Sequence, residues 1–358
     1  MSSKERIYYL DILKILSCLA VILMHVCDHS FQIALPFGLA WNSINVLDSV
    51  ARFAVPIFFM ISGALFLSRE KIDLKRLYSK NILRLFTAYV FWIIFYSSWN
   101  FYWGHGKIAF ENIGTILSDA VLTPMYHLWF VPTMIGVYVF IPILQNIIQN
   151  SNEKEMKYIL KLFFVFCVVR CSVLIISNCV TEGFLKYLSA IFSRYSVDLF
   201  TGYVGYFFLG YYLSKFELKK KIRVILYILG IVSLLICIIG TAILSKVENK
   251  ITAVTYFYEY RFITTLFTSV DLFIFGKYVI SKMKLGDKAK KVTAELSNAS
   301  FGIYLIHLAV LSRILPILLV PNVPISILTI LTVLCTFTIA LIIILLLRRI
   351  PVVGKYIT

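Results

Sequence analysis

Residues 8–28 read YYLDILKILSCLAVILMHVCD, and this stretch decides the fold. It is apolar apart from a few ionisable side chains, and about 20 such residues in a helix cross the roughly 30 Å of hydrocarbon in a bilayer. A signal peptide is the alternative for an N-terminal apolar run, but Asp11 and Lys14 interrupt this one and no small-residue cleavage site follows Met24. The stretch therefore predicts a transmembrane helix that is retained.

The composition of the whole chain agrees with this prediction. Of the 358 residues, 60% are hydrophobic and 15% are charged, whereas soluble domains have about 45–50% apolar and about 25% charged residues. Apolar runs long enough to cross a bilayer lie near 8–28, 44–68, 82–103, 125–148, 157–180, 198–215, 222–245, 257–282, 298–320 and 323–347. We expect an all-α integral membrane protein with about ten transmembrane helices, formed by a single polytopic domain over 1–358 with no soluble domain.

The distribution of Lys and Arg predicts how the chain is oriented. With both termini in the cytoplasm, 25 of the 35 Lys and Arg residues fall on the cytoplasmic side, 7 on the other side and 3 within the apolar runs. Because cytoplasmic loops carry an excess of Lys and Arg, we expect both termini to be cytoplasmic. The net charge of +17 then reflects topology and attraction to anionic membrane lipids, and we expect no nucleic-acid partner.

Four ionisable side chains share one face of the first span. Asp11, Lys14, His25 and Asp28 occupy an arc of about 100° around a helix. Lys14 and His25 are about 16 Å apart along the axis, which places the cation near the cytoplasmic mouth and the imidazole in the outer half. The structural alternative is an Asp11–Lys14 pair at the interface with His25 bonded to a neighbouring carbonyl. Because ionisable groups are costly in hydrocarbon, four on one face favour a functional role.

Charged residues in other spans admit both a structural and a functional interpretation. Arg52 lies four residues after Asp48 in the second span. It forms either a closed ion pair with Asp48 or part of a site beside His25, and the sequence leaves both open. Three single charges lie in apolar runs without a partner that the sequence identifies: Arg170, Asp198 and Asp271.

Two further pairs of polar aromatic residues are candidates for binding a substrate, together with Arg52. His127 and Trp129 begin the fourth span at the outer face, where a belt of interfacial aromatic residues is the structural alternative. Tyr304 and His307 lie three residues apart in the ninth span and so share one helix face. We expect Arg52 to lie in the outer half of the membrane and His127 at its outer face.

Several of these residues lie in segments that resemble the membrane acyltransferase-3 family. Lys14, ten intervening residues and His25 are similar to the family signature of a basic residue, ten residues and His. Further segments that resemble the family follow in the same order: Phe58–Gly63, Lys80–Arg84, His127–Val131, Tyr206–Leu213 and Ser300–His307. The resemblance covers nearly the whole chain. Two departures are Lys14, where many members have Arg, and the absence of a Pro shortly after Arg84.

The resemblance implies transfer of an acyl group, most often acetyl, to a hydroxyl of a cell-surface polysaccharide or of a lipid-linked glycan. The donor substrate would be cytoplasmic acetyl-CoA or another acyl-CoA, and the enzyme would be a multi-pass protein of the bacterial plasma membrane. A homo-oligomer is compatible with the sequence, which does not decide the oligomeric state. We expect no metal cofactor, because the seven cysteines show no spacing suited to zinc.

The basic cytoplasmic mouth is suited to the anionic donor. The cations expected to hold the CoA phosphates are Lys14, Lys80 and Arg84. The flexible arm of CoA would then lie along the first span and bring the thioester close to His25. Two chemistries remain open: His25 is a general base oriented by Asp28 or Asp11, or it accepts the acyl group and passes it on.

A transporter is the alternative from another functional class. A polytopic chain with buried charges suits the export of a glycan or a small amino acid, with Lys14 and His25 as a proton relay or gate. However, transporters often show internal repeats and paired broken helices. The sequence shows no such repetition, so the acyltransferase is the favoured prediction.

Overall fold

The computed structural model describes residues 6–177, 183–194, 202–249, 255–351 and 353–358. Helices and connecting loops account for these residues, and no strand occurs among them. In chain order the helices are α1 (Tyr8–Ile33), α2 (Leu39–Phe66), α3 (Leu74–His105), α4 (Ile113–Leu122), α5 (Tyr126–Val139), α6 (Ile141–Gln149), α7 (Glu153–Ile176), α8 (Phe184–Arg194), α9 (Tyr203–Lys215), α10 (Lys220–Val247), α11 (Ile263–Lys282), α12 (Asp287–Leu319), α13 (Ile325–Leu347) and α14 (Val353–Ile357).

The predicted all-α membrane architecture is confirmed, and the structure refines the number of spans. Among the described residues, eight helices are long and apolar enough to cross a membrane, namely α1, α2, α3, α7, α10, α11, α12 and α13. A ninth crossing results if α4 and α5 are taken as one span with a 53° bend. The predicted span at 198–215 corresponds to α9, whose 13 described residues are too few to cross alone. The predicted span at 125–148 is divided between α5 and α6.

Hydrogen bonds near the start of α1 define one end of the bundle. Arg6 donates to the carbonyl of Ala294 (3.2 Å) and to the side chain of Asn298 (3.1 Å), both near the start of α12. The Tyr9 hydroxyl lies 3.5 Å from that of Ser214, near the end of α9. We call this end the inner face and the opposite end the outer face, following the orientation that the charges predict.

Helix α1 occupies the centre of the bundle, and it packs against α2, α11, α12 and α13. Its side chains Leu13, Ile22 and Val26 are fully buried. Beside it, α2 and α9 approach each other closely through glycines, as is common between membrane helices. A Cβ atom on Gly63 would overlap the carbonyl of Phe207, and one on Gly210 would overlap the backbone of Met60.

Substitution of Gly210 by Ala is expected to destabilise the protein. The added methyl group would force α2 and α9 apart, and overpacking of this kind costs about 1–3 kcal/mol. Gly136→Ala in α5 is the matched control, because its Cβ would meet no atom within 4 Å. Thermal unfolding in detergent compares the two variants with the wild type. Equal unfolding midpoints for Gly210→Ala and Gly136→Ala would contradict the close contact.

Candidate active site

Three histidines from three helices meet inside the bundle. His25 lies on α1, His127 at the start of α5 and His307 on α12. The ring centroids of His307 and His25 are 5.1 Å apart, as are those of His307 and His127, while those of His25 and His127 are 6.5 Å apart. His127 and His307 are almost fully buried, and the His25 side chain is 14% exposed. The fold therefore brings the predicted catalytic residue together with two of the predicted substrate-binding residues.

Backbone carbonyls of α12 determine where the proton lies on two of these rings. Nδ1 of His307 is 2.5 Å from the carbonyl oxygen of Tyr304, and Nε2 of His127 is 3.4 Å from that of Leu305. Because a carbonyl only accepts, each of these ring nitrogens carries the hydrogen, and in a neutral imidazole the other nitrogen has the lone pair. Nε2 of His307 and Nδ1 of His127 are buried without a hydrogen-bond partner among the described residues. Two basic nitrogens are thus left unengaged in the cluster.

Tyr96 of α3 holds the turn of α12 that carries His307. Its hydroxyl donates to the carbonyl of Leu305 (2.8 Å) and accepts from the amide of Ala309 (3.3 Å). Its ring centroid lies 5.0 Å from that of His127. Sequence reasoning missed Tyr96, because one tyrosine in an aromatic-rich apolar run carries no distinguishing signal. Its place in the site depends on helix packing alone.

Tyr304 links α12 to the start of α5. Its hydroxyl donates a hydrogen bond to the backbone carbonyl of His127. The ring centroids of the two residues are 5.8 Å apart. Of the predicted pair, His307 is part of the cluster and Tyr304 contacts it.

The two ends of the polar stripe on α1 have different surroundings. Nδ1 of His25 lies 3.3 Å from the Tyr126 hydroxyl and 3.9 Å from a carboxylate oxygen of Asp28, whose side chain is 59% exposed. Asp11 instead accepts hydrogen bonds from Arg6 and Ser297, both at 2.5 Å. Asp11 is about 21 Å from His25 along α1. Of the two carboxylates predicted to orient His25, only Asp28 lies beside it.

A cavity of about 470 Å³ leads from the inner part of the bundle toward the histidines. We call it the inner cavity, and its polar lining residues are Lys14, Ser62, Asn81, Arg84, Asn298, Tyr304 and Arg348. Tyr304 lines this cavity and also donates to the carbonyl of His127, so one residue separates the cavity from the histidine cluster. The cavity thus brings three cations together and reaches Tyr304, which contacts His127 and His307, although no histidine of the cluster lines it.

The cations of the inner cavity differ in how far they are engaged. Lys14 makes no hydrogen bond or ion pair with any of the described residues, although Asp11 lies one turn away on the same helix. The Arg84 guanidinium donates to a backbone oxygen of Thr358 at 2.5 Å. Lys80 is exposed and does not line the cavity. Two of the three predicted CoA-binding cations therefore lie together, and Arg348 joins them.

Arg52 and Trp129 lie outside the ring contacts of the histidine cluster. Arg52 forms an ion pair with the buried carboxylate of Asp48, and its guanidinium carbon lies 3.9 Å from the ring centroid of Tyr258. The structure therefore contains the closed pair that the sequence left as one alternative. Trp129 stacks on Tyr260, with ring centroids 5.9 Å apart.

The three single charges of the apolar runs do not join the cluster where they are described. Nε of Arg170 donates to the carbonyl of Phe192 at 2.9 Å. Asp271 of α11 packs against Gly230 of α10. Asp198 lies outside the described residues.

The arrangement combines two chemical capacities. The inner cavity offers positive charge to an anionic molecule. The histidine cluster offers unprotonated ring nitrogens, which can accept a proton from a hydroxyl group. Among the described residues, no group of three His, Cys, Asp or Glu is arranged to hold a metal ion.

Comparison with known proteins identifies the family. A family model described as an acyltransferase domain, that of the acyltransferase-3 family, matches residues 7–349. No curated protein and no solved structure matches the chain. The matched region contains every lining residue of the inner cavity and all three histidines of the cluster. The chain belongs to the acyltransferase-3 family and is a multi-pass membrane acyltransferase.

Proposed function

We propose that the protein transfers an acetyl group, or another small acyl group, from cytoplasmic acyl-CoA to a hydroxyl of a cell-surface glycan or a lipid-linked sugar. Its place is the bacterial plasma membrane. The observation that carries the proposal is the inner cavity, which is lined by three cations and by Tyr304, a direct neighbour of His127 and His307 in the histidine cluster. A phosphate-bearing donor needs the cations, and a hydroxyl that attacks a thioester needs a base.

Binding of the donor begins at the cations of the inner cavity. Lys14, Arg84 and Arg348 attract the phosphates of CoA, and charge-assisted hydrogen bonds to phosphate are among the stronger ones in proteins. Lys14 is available because no described residue pairs with it. The acyl-bearing arm then extends along α1, over the roughly 16 Å between Lys14 and His25. Holding both reactants in place lowers the entropic part of the barrier.

The chemical step in this proposal is a direct transfer with His25 as the base. If Nδ1–H of His25 points toward Tyr126 and Asp28, the lone pair lies on Nε2. Nε2 takes the proton of the acceptor hydroxyl while the hydroxyl oxygen attacks the thioester carbonyl carbon. The C–S bond then breaks, the thiolate of CoA leaves and the proton passes to it. The products are an O-acyl ester and free CoA.

The other two histidines support this step through their lone pairs. Nε2 of His307 is buried and lies in the ring that is 5.1 Å from His25. It can stabilise the protonated His25 or receive its proton. Tyr96 and the α12 carbonyls act as positioning groups, because they fix the ring orientation of His307 and His127.

Substitution of His25 by Gln is expected to lower kcat about 100-fold or more, which is the usual contribution of a general base. The assay follows labelled acetyl from acetyl-CoA to glycan in membrane vesicles. His29→Gln is the matched control, since this histidine lies one turn along α1 and makes no ring contact with the cluster among the described residues. Full activity in a folded His25→Gln protein would exclude the proposed role. Isolation of an acyl-histidine from a quenched wild-type reaction would replace direct transfer by a two-step route.

Substitution of Lys14 by Met is expected to raise KM for acetyl-CoA about tenfold or more with a smaller change in kcat. A hydrogen bond to a charged group contributes about 1.5–3 kcal/mol, and Met keeps the length of the side chain without its charge. Lys14→Arg should retain most of the affinity. Lys75→Met is the control, because Lys75 is exposed on the same face and does not line the inner cavity. Equal effects at Lys14 and Lys75 would show that only the overall charge of the inner face matters.

A further inference from the structure

A second cavity, of about 240 Å³, opens near the outer face between α3 and α4. We call it the outer groove, and its walls include Tyr96, Asn100, Phe101, His105, Asp119 and Met125. It shares no lining residue with the inner cavity. The proposed donor site does not use it.

Hydrogen bonds hold the walls of the outer groove in place. The Ser97 hydroxyl donates to the carbonyl of Ile116 at 2.7 Å and so ties α3 to α4. The His105 ring stacks on Phe101, with centroids 4.2 Å apart, and its Nδ1 lies 3.1 Å from the Phe101 carbonyl. The side chains of Asn100 and Asp119 take no part in these bonds, and both residues are exposed.

The unused polar groups match the chemistry of a sugar ring. The Asn100 amide and the Asp119 carboxylate make no hydrogen bond with any of the described side chains or backbone groups. Nδ1 of His105 donates to a carbonyl, which leaves Nε2 as an acceptor. Together these groups offer donors and acceptors to adjacent hydroxyls, and the stacked Phe101 and His105 rings offer an apolar face. Pockets with an apolar surface and a few convergent polar groups are typical ligand sites.

The outer groove adjoins the histidine cluster through two residues. Tyr96 forms part of its wall, and the ring centroid of Tyr96 is 5.0 Å from that of His127. Met125 precedes Tyr126, whose hydroxyl lies 3.3 Å from Nδ1 of His25. Because the rings of Tyr96 and His127 intervene, a sugar in the groove would not itself reach His25.

We infer that the outer groove binds a neutral sugar unit of the acceptor glycan, adjacent to the unit whose hydroxyl is acylated. This inference rests on the proposed function and names the acceptor side of the same reaction. The carboxylate of Asp119 repels a uronic acid at this position, so it selects against acidic units. The groove is therefore a specificity subsite for chains of two or more sugars.

The test compares two full-length variants with a matched control. Asn100→Ala and Asp119→Ala remove the unused polar groups, and Glu111→Gln alters an exposed carboxylate of the same outer region that does not line the groove. The probes are neutral hexose oligosaccharides of one to four units. Each variant should raise the acceptor KM for the longer oligosaccharides about fivefold, the loss that one or two neutral hydrogen bonds produce. In both variants the KM for acetyl-CoA and the KM for the monosaccharide should equal those of the wild type. In the control Glu111→Gln all KM values, including those for the longer oligosaccharides, should equal those of the wild type.

A second measurement separates failure of this inference from failure of the proposed function. Saturation-transfer NMR detects binding of the tetrasaccharide to the detergent-solubilised protein without any reaction. Loss of that binding in Asn100→Ala and Asp119→Ala supports the groove even if the wild type transfers no acetyl group, in which case the proposed function falls alone. Wild-type binding and wild-type acceptor KM in both variants would overturn the groove, whatever the transfer activity.

Discussion

Two backbone carbonyls of α12, those of Tyr304 and Leu305, set the chemistry of the site. The Tyr304 carbonyl accepts from Nδ1 of His307, and the Leu305 carbonyl accepts from both His127 and Tyr96. Because a carbonyl has no hydrogen to donate, the two imidazoles are held in opposite tautomers, one with its lone pair on Nε2 and the other with it on Nδ1. The regular backbone of a single helix turn thus supplies the orientation that a carboxylate often supplies elsewhere.

The cost of placing charge in hydrocarbon explains which groups of the bundle are candidates for function. Asp11 is engaged by Arg6 and Ser297, and Asp48 is engaged by Arg52. For Asp11 these contacts compensate for burial, whereas the Asp48–Arg52 pair is compensated in part, because Oδ1 of Asp48 and Nε of Arg52 are buried without a hydrogen-bond partner among the described residues. Lys14 has no such compensation among the described residues, and a bound anion would provide it. Arg52 is paired with Asp48 and is therefore a weaker candidate for binding an anion. Lys14 has no partner among the described residues and is therefore a stronger candidate.

Much of the fold was predictable because transmembrane helices follow from the length of apolar runs, which is a local property. The bend between α4 and α5 could not be predicted, and neither could the division of the predicted span 125–148 into α5 and α6. Both depend on breaks within an apolar stretch. The spacing of Lys14 and His25 could be read directly, because both lie on one helix. Convergence of His127 and His307 on His25 could not, since these residues are far apart in sequence and meet through helix packing.

The different positions of Lys80 and Arg84 could not be predicted from the sequence, because a π-helical turn changes the helix geometry at this point. Both cations lie in the segment Lys80–Arg84 that resembles the family, at the basic cytoplasmic mouth, and both were expected to bind the CoA phosphates. A π-helical turn spans Leu77–Ile82 and changes the angular spacing at this point, which turns Lys80 toward the surface while Arg84 lines the inner cavity. Bulges of this kind are frequent at functional sites, and nothing in the composition of this turn indicates one.

The separation of the two cavities bears on how substrates would reach each other. The inner cavity ends at Tyr304 and the outer groove at Tyr96, and His127 contacts both tyrosines. A transporter needs a route through which its cargo passes from one face to the other. In the proposed reaction the donor approaches from the inner face and the acceptor approaches from the outer face. Only the acyl group changes sides, so no whole substrate has to pass this layer of rings. In the proposed acyltransferase the layer of rings between the two cavities would keep water from the thioester of the donor, whereas a transporter would have to open it.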